Sequence, residues 1–313
     1  MPYFLMKGTE MSLHIVVGAG PVGRETARLL SAAGHMVKLV SRRGMTVVAH
    51  PTGSVEGVAL DAQDGAALAK VSAGAEAIFM CAMAPYDNWP AAFPPIMEGV
   101  VRAAEAVGAK LLITGNVYGY GGDVAMPLMP ATALAPTSAK GRTRVEMWQR
   151  ALAARVPALE IRASDYLGQG AGSLFTLMAL PSLLAGETVA LPADPDALHA
   201  WSYTKDVART LVAASHFQGD WDRAFHVPSQ HATVRDLTSR FAALAVLREP
   251  EIQAISSEAL AALARETPFL GELIEMAYLY RNPCIVDASE TESLLGVSAS
   301  SLDTMILDTL RKP

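Results

Sequence analysis

The sequence predicts an α/β fold, a doubly wound parallel sheet with a smaller, mostly helical C-terminal lobe, and three features predict it. A glycine-punctuated strand, turn, helix and second strand occupy Leu13 to Arg43. Short apolar runs then keep alternating with helix-period segments, which is how a parallel sheet covered on both faces reads. The chain is also long enough, at 313 residues and 51% hydrophobic, to bury one large core or two modest ones.

In the first unit, Leu13 to Val17 is an apolar strand and Gly18-Ala19-Gly20-Pro21-Val22-Gly23 a turn. The following helix carries apolar residues at Val22, Ala27, Leu29, Leu30 and Ala33, ends at Gly34, and precedes a strand over Met36 to Val40. This is the Rossmann-type dinucleotide fingerprint in its required setting. Gly18 permits the tight turn, Gly20 lets backbone approach a pyrophosphate, and Gly23 lets helix pack on strand. Pro21 and Val22 open the helix, whose free N–H groups and positive dipole end face the phosphates. A tight strand-to-helix connection without ligand is the plain alternative. At the end of the second strand stand Ser41, Arg42 and Arg43, and no Asp or Glu occurs between Glu25 and Glu56. An NAD site places a carboxylate there and a 2′-phosphate is met by arginine, so the expected cofactor is NADP rather than NAD, with a solvated arginine pair as the alternative.

Val55 to Leu60 reads as the third strand, Gly65 to Val71 as a helix and Ala77 to Ala82 as a buried fourth strand. Asp61 follows the third strand, where it either reaches the adenine or caps the next helix. Ala82 and Met83 follow the fourth, where small residues let a cofactor ribose lie against backbone. Tyr86 and Trp89 sit in a loop at a strand's C-terminal end, the side on which open α/β sheets bind ligands. Pro90 suits the first turn of a helix with Phe93, Ile96, Met97, Val100, Val101, Ala104 and Val107 on its apolar positions. Lys110 to Ile113 forms the fifth strand and leads into Thr114-Gly115-Asn116-Val117-Tyr118-Gly119-Tyr120-Gly121.

Here the chain resembles the extended branch of the short-chain dehydrogenase/reductase superfamily, the epimerase/dehydratase type, in which the fifth strand ends Ser-x-x-Val-Tyr-Gly. Glu160 to Gly168 resembles the family's sixth strand and Arg-Pro-x-x-x-x-Gly loop, Trp201 to Ala208 its Val-x-Asp-Val-Ala segment, and Ala224 to Val227 its returning strand. The resemblance implies a Rossmann domain over residues 1–165, rejoined at about 200–228, and a substrate lobe built from 166–199 and 229–313. It also implies hydride transfer on a small carbonyl or alcohol. The departures are specific: aligned on Val145-Glu146, the family's Tyr-x-x-x-Lys pair falls on Ser138 and Arg142, no Tyr occurs between Tyr120 and Tyr166, and Val17 replaces the first loop glycine. An aliphatic hydroxyl does not replace a phenol as a general acid near neutral pH. The candidates left for catalysis are Thr114, which would polarise a carbonyl as the family's serine does, Tyr118 as a relocated phenol, and Lys140 as ribose holder or cation beside it. Tyr118 packing its ring and Lys140, Arg142 and Arg144 forming a solvated helix start are the alternatives. Tyr86, Trp89, Asn116, Asp165, Trp201 and Tyr203 are expected to line the substrate pocket, with His199 beside Trp201, while His226 reads as a core histidine.

Helix 140 to 154 carries Val145, Trp148 and Leu152 on one stripe, suited to the superfamily's four-helix dimer interface or to an ordinary core. Thr233 to Asp236 is a capping box opening a helix with Leu237, Phe241, Leu244 and Ala245 on one face; further helices are expected over Phe269 to Leu279 and Ser300 to Leu310. A net charge of −6 and the lack of a basic, aromatic-interleaved cluster exclude nucleic acid as partner. No run nears the ~20 apolar residues of a bilayer span, so no membrane partner is expected. The first twelve residues read as a loose leader, with Met11 an alternative start. Two distant cysteines suit a reducing cytoplasm, no histidines pair at metal-ligand spacing, and neither a nucleophile elbow nor a P-loop lysine occurs. The expectation is an NADP-dependent oxidoreductase or epimerase-like enzyme, with a catalytically silent NADP-binding regulator as the alternative.

Overall fold

Seven parallel strands form the central sheet of the computed structural model, which describes residues 11–311. Most of the expected leader lies outside the described residues. The strands are β1 (Leu13–Val17), β2 (Met36–Ser41), β3 (Ser54–Ala59), β4 (Ala75–Met80), β5 (Lys110–Asn116), β6 (Ala158–Ala163), β7 (Asp165–Leu167), β8 (Val189–Leu191), β9 (Leu198–Tyr203), β10 (Arg223–His226), β11 (Gln230–Thr233) and β12 (Ile252–Ala254). The helices are α1 (Pro21–Ala32), α2 (Gly65–Val71), α3 (Trp89–Val107), α4 (Ala139–Leu152), α5 (Leu180–Ala185), α6 (Thr204–Ser215), α7 (Val234–Leu244), α8 (Ser257–Glu266), α9 (Pro268–Ile274), α10 (Tyr278–Arg281), α11 (Ser289–Leu295) and α12 (Leu302–Thr309).

The central sheet runs β10-β6-β5-β4-β1-β2-β3, so strand order reverses between β1 and β4. Ligands bind at such a reversal, outside the carboxyl ends of the strands. Side chains alternate across each strand, and both faces are covered: Ile15 and Val17 face a core with α3 and α4, and Val16 faces one with α1 and α6. Fully burying one such aliphatic side chain stabilises by roughly 1.5–3 kcal/mol. A third core, around Phe175, Trp201 and Phe241, holds the C-terminal lobe with its β11-β9-β7 sheet. β9 belongs to that small sheet, whereas α6 and β10 return to the central one.

Three local expectations are corrected. β4 ends at Met80, leaving Cys81 to Met83 in the following loop, and the helix expected over Phe269 to Leu279 is broken between α9 and α10. The buried stripe of α4 is Arg144, Met147, Trp148 and Ala151, packed beside α3, while Leu152 is exposed and Val145 half-buried. Thr233 caps α7 as expected: the Asp236 N–H donates to Thr233 Oγ1 at 3.0 Å, and that hydroxyl donates to Asp236 Oδ2 at 2.8 Å, a side-chain bond in place of the box's reciprocal backbone one.

Candidate functional site

The glycine turn follows β1 at the strand-order reversal. Gly18 has φ +108°, and a Cβ on it would stand 2.5 Å from the Ala82 nitrogen. A Cβ on Gly23 would stand 1.9 Å from the Gly18 carbonyl oxygen, so both glycines are demanded by the chain itself. Gly20 differs, since its Cβ would meet nothing within 4 Å. It is the N-cap of α1, has no side chain to cap with, and leaves the first-turn N–H groups facing open space. This is a cradle that an added methyl would fill.

Beyond β2, Arg42 and Arg43 are exposed and neither forms an ion pair among the described residues. Ser41 Oγ accepts from the Met45 N–H at 3.1 Å, folding the loop back beside the arginines. Asp61 is exposed and accepts from the Gln63 N–H at 3.0 Å; the cap of α2 is instead Asp64, which accepts from Ala67 at 2.9 Å. Of the two alternatives for Asp61, the structure removes the helix cap.

From the glycine turn a cavity of about 520 Å³ runs into the lobe. Gly20, Pro21 and Val22 line one end, with Cys81, Ala82, Met83 and Ala84 beside them. Thr114, Asn116 and Tyr118 enter from the end of β5, Tyr86 and Trp89 from the start of α3, and Asp165 from β7. All of these fall on segments singled out in the sequence, the run Cys81 to Ala84 after the fourth strand included, although they come from five separate stretches. Sequence reasoning missed Arg144, Ser164 and Tyr166, and the apolar residues Leu174, Leu177, Met178, Phe269 and Leu273 that close the far end with Tyr280.

Trp89 stacks on Tyr118 with ring centroids 5.7 Å apart, and Tyr86 meets the edge of Trp89 at 5.4 Å. Asn116 Oδ1 accepts from the Tyr118 N–H at 3.2 Å and fixes the turn that presents the ring. Burial pushes the Tyr118 phenol well above its ordinary range, with Tyr86 opposing its ionisation and hydrogen-bonding to it; burial raises Tyr86 too and takes Tyr166 to about 12. Near neutral pH these phenols are proton-bearing donors. Thr114 Oγ1 donates to Cys81 Sγ at 3.5 Å, and burial lifts that thiol to about 11.

Arg144 is 5% exposed, and among the described residues it has no carboxylate partner. Its Nη1 donates to the Thr114 carbonyl at 3.1 Å, its guanidinium lies 4.7 Å from the Trp89 ring, and its Nε is unpartnered. Burial lowers its pKa, and the Trp89 and Phe93 rings, 4.7 and 4.5 Å from the guanidinium, stand where a carboxylate partner would otherwise be. Lys140, one turn earlier, is not among the cavity-lining residues. Its Nζ is drawn to Glu272 and, at 2.7 Å, to Glu275 Oε1, and it sits 4.5 Å over the Tyr86 ring. Ser138 caps α4 and Arg142 is exposed, so neither reaches the cavity. The 3.6-residue period, applied to 140, 142 and 144, separates Arg142 from the other two and was the signal for Arg144.

Asp165 Oδ2 lies 2.8 Å from His199 Nε2, and His199 Nδ1 lies 3.0 Å from the Leu279 carbonyl oxygen. Trp201 does not line the cavity: it is 1% exposed, in the lobe core against Phe175, with its indole N–H donated to Ala232. Tyr203 is likewise buried away from it, beside Asp308. His226 accepts or donates to Tyr120 Oη at 2.6 Å within the core. Among the described residues no His, Cys, Asp and Glu side chains gather as a metal site, and no helix is long and apolar enough to cross a membrane.

Solved structures share this fold. Bordetella bronchiseptica WbmG in complex with NAD superposes with TM-score 0.75 at 16% identity, covering 98% of this chain and 95% of that one. UDP-glucuronic acid 4-epimerase from Bacillus cereus in complex with NAD gives 0.73 at 14% identity over 95% and 96%. UDP-glucose 4-epimerase from Thermotoga maritima with UDP-glucose gives 0.73 at 16% over 95% and 97%. At these identities the likeness shows the fold alone. No curated protein matches the chain. The NAD(P)H-binding family matches residues 18–216, from the glycine turn to the end of α6, and the chain belongs to that family.

Proposed function

We propose that the protein is an NADP-dependent oxidoreductase or epimerase-like enzyme that exchanges hydride with a small carbonyl or alcohol substrate. The observation that carries this reading is the single cavity joining the glycine turn to Thr114, Tyr118 and Asp165. Gly20 and the α1 N-terminus would take the pyrophosphate, Ala82 and Met83 would lie against the adjoining ribose, and Arg42 and Arg43 with Ser41 would meet the 2′-phosphate. Asp61 would face the adenine. The nicotinamide, when bound, supplies or accepts the hydride. Thr114 and Tyr118 would donate hydrogen bonds to the substrate oxygen. Arg144 has the charge and burial to hold polar groups near them. Lys140, saturated by two carboxylates, would act by fixing α9, whose Phe269 and Leu273 line the far end of the cavity.

The walls favour a compact, largely apolar substrate. Although two of the similar structures are of epimerases acting on UDP-sugars by their printed names, Arg144 is the only Lys or Arg lining this cavity among the described residues. A sugar nucleotide carries a diphosphate that favours cationic partners, and the side chains of Leu174, Leu177, Met178, Phe269 and Leu273 offer none at the far end.

The test is NADPH oxidation by the purified protein against a panel of uncharged aldehydes, ketones and imines, repeated with Tyr118→Phe. Turnover that falls on the order of a hundredfold in the variant supports the reading. The silent NADP-binding regulator draws support from one observation, the raised phenols of Tyr86, Tyr118 and Tyr166. Tight NADPH binding with no turnover across the panel would favour it.

A further inference from the structure

The cavity holds no phenol or thiol able to exchange a proton easily near neutral pH, because burial raises Tyr86, Tyr118, Tyr166 and Cys81 alike. Carbonyl reduction nevertheless needs a proton for the new hydroxyl. The one carboxyl among the cavity-lining residues belongs to Asp165, which is 9% exposed and backed by His199 at 3%.

Hydrogen-bond accounting defines what this pair holds. The Leu279 carbonyl 3.0 Å from His199 Nδ1 can only accept, so Nδ1 carries a proton. His199 Nε2 and Asp165 Oδ2, 2.8 Å apart, then share one more. Either the ring is an imidazolium against a carboxylate or the ring is neutral against a carboxylic acid; in both forms one proton lies on the Nε2···Oδ2 line. Two ionised partners in contact, or one neutral pair, avoid the penalty of a lone buried charge. His199 is locked in this orientation by stacking on Tyr280 at 5.2 Å and by the edge of Trp201 at 4.7 Å. Its ring therefore cannot turn to lose the contact.

Resting on the oxidoreductase reading above, we propose that Asp165 and His199 form the proton-transfer pair of this cavity, serving an uncharged carbonyl or alcohol with an apolar body. Asp165 is the catalytic residue, touching substrate, and His199 is a positioning residue that stores the second charge state. In the reducing direction the carbonyl carbon gains hydride from NADPH, the C=O π pair moves to oxygen, and that oxygen takes the proton shared by the pair through the Asp165 carboxyl, leaving a carboxylate beside a neutral ring protonated on Nδ1. NADPH is oxidised to NADP⁺, the carbonyl compound becomes an alcohol, and the pair regains its proton from solvent at the cavity mouth. The reverse direction uses the same atoms, with Asp165 accepting the hydroxyl proton. The remaining titratable groups that face the pair are Tyr280, hydrogen-bonded to Asp165, Tyr86, Tyr118 and Tyr166 around the cavity, Cys284 behind the carboxyl, and His231 behind the imidazole. All the phenols and the thiol are pushed upward and His231 downward, so each of these neighbours stays neutral near pH 7.

The experiment compares the full chain with Asp165→Asn, which preserves shape, and His199→Gln, which replaces the ring by an uncharged amide. Ring-15N histidine and Asp 13C NMR at pH 7.5 counts the protons, the His199 signal being identified by its loss in His199→Gln. Two protons on the wild-type pair are expected; a singly protonated ring beside an ionised carboxylate would overturn the proposal. NADPH affinity and a cooperative thermal melt should be retained in Asp165→Asn, even at a lowered Tm, which separates a folding failure from a chemical one. With the carbonyl panel, Asp165→Asn should lower kcat by about a hundredfold or more with little change in the NADPH KM, and His199→Gln should move the pH profile of kcat by about one unit. Turnover within threefold of wild type in Asp165→Asn would remove the pair and leave the oxidoreductase reading standing. Absence of NADPH binding by the wild type would remove that reading itself, and NADPH binding without any reduction would overturn both.

Discussion

Gly20→Ala separates the glycine the ligand needs from the glycines the chain needs. Gly20 sits at φ −75° and ψ −177°, a conformation open to alanine, and the new Cβ would meet nothing within 4 Å. Two small effects on stability oppose each other: alanine is a poorer N-cap, and it narrows the unfolded ensemble, so the net change stays within ~1 kcal/mol. The methyl instead occupies the space through which a pyrophosphate would approach the α1 N–H groups. Losing one charge-assisted hydrogen bond weakens binding by roughly 1.5–3 kcal/mol, about ten- to a hundredfold in Kd. Gly23→Ala behaves in the opposite way, because its Cβ would lie 1.9 Å from the Gly18 carbonyl and backbone must move. Overpacking of that kind destabilises by about 1–3 kcal/mol. NADPH fluorescence titration and thermal melts on both variants give the answer. A Gly20→Ala protein that binds NADPH as tightly as wild type would refute the cradle.

Three further outcomes are expected. Arg42→Ala should weaken NADPH at least about tenfold while leaving NADH nearly unchanged in parallel titrations; equal losses would sink the 2′-phosphate assignment. Stability should fall on acidification, because burial lowers both His14 and His226 to about 4 from 6.5. The unfolded chain takes those protons first, so stability is complete above about pH 6.5 and is lost progressively between there and about pH 4, by roughly 3 kcal/mol per histidine at most. Urea melts across that window test the sign, and His14→Leu, which replaces a ring with both nitrogens unpartnered, should flatten the curve. Lys140→Met strands Glu272 and Glu275, which are 31% and 26% exposed and so partly solvated, and should destabilise by ~1–3 kcal/mol and speed proteolysis around α9. An unchanged melt would show that the ion pairs do not hold that helix.

The parts legible in the sequence were those written in local period and local sterics. Gly18, Gly20 and Gly23 recur at turn spacing, and Val16 and Val17 alternate between faces as any buried parallel strand requires. The lining residues at strand ends were legible too, since topology puts every C-terminal strand end on one side. What escaped was decided by partners distant in sequence. Lys140 leaves the cavity because Glu272 and Glu275 reach it across more than a hundred residues, and no local pattern announces that. Asp165 and His199 meet because β7 pairs with β9. Arg144 was hidden among alternating basic residues that read as a solvated helix start, until burial of its helix face against α3 made it a cavity wall. Trp201 carries the aromatic character of a binding residue and fills the lobe core instead, its N–H satisfied by Ala232.

Calorimetric titration of the purified protein with NADPH and then NADH tests the nucleotide assignment most directly. One NADPH should bind per chain, at least about tenfold tighter than NADH, as expected for two arginines standing where an acidic residue would hold the ribose. Absence of heat with either dinucleotide would contradict the assignment, and a clear preference for NADH would overturn the roles given to Arg42 and Arg43.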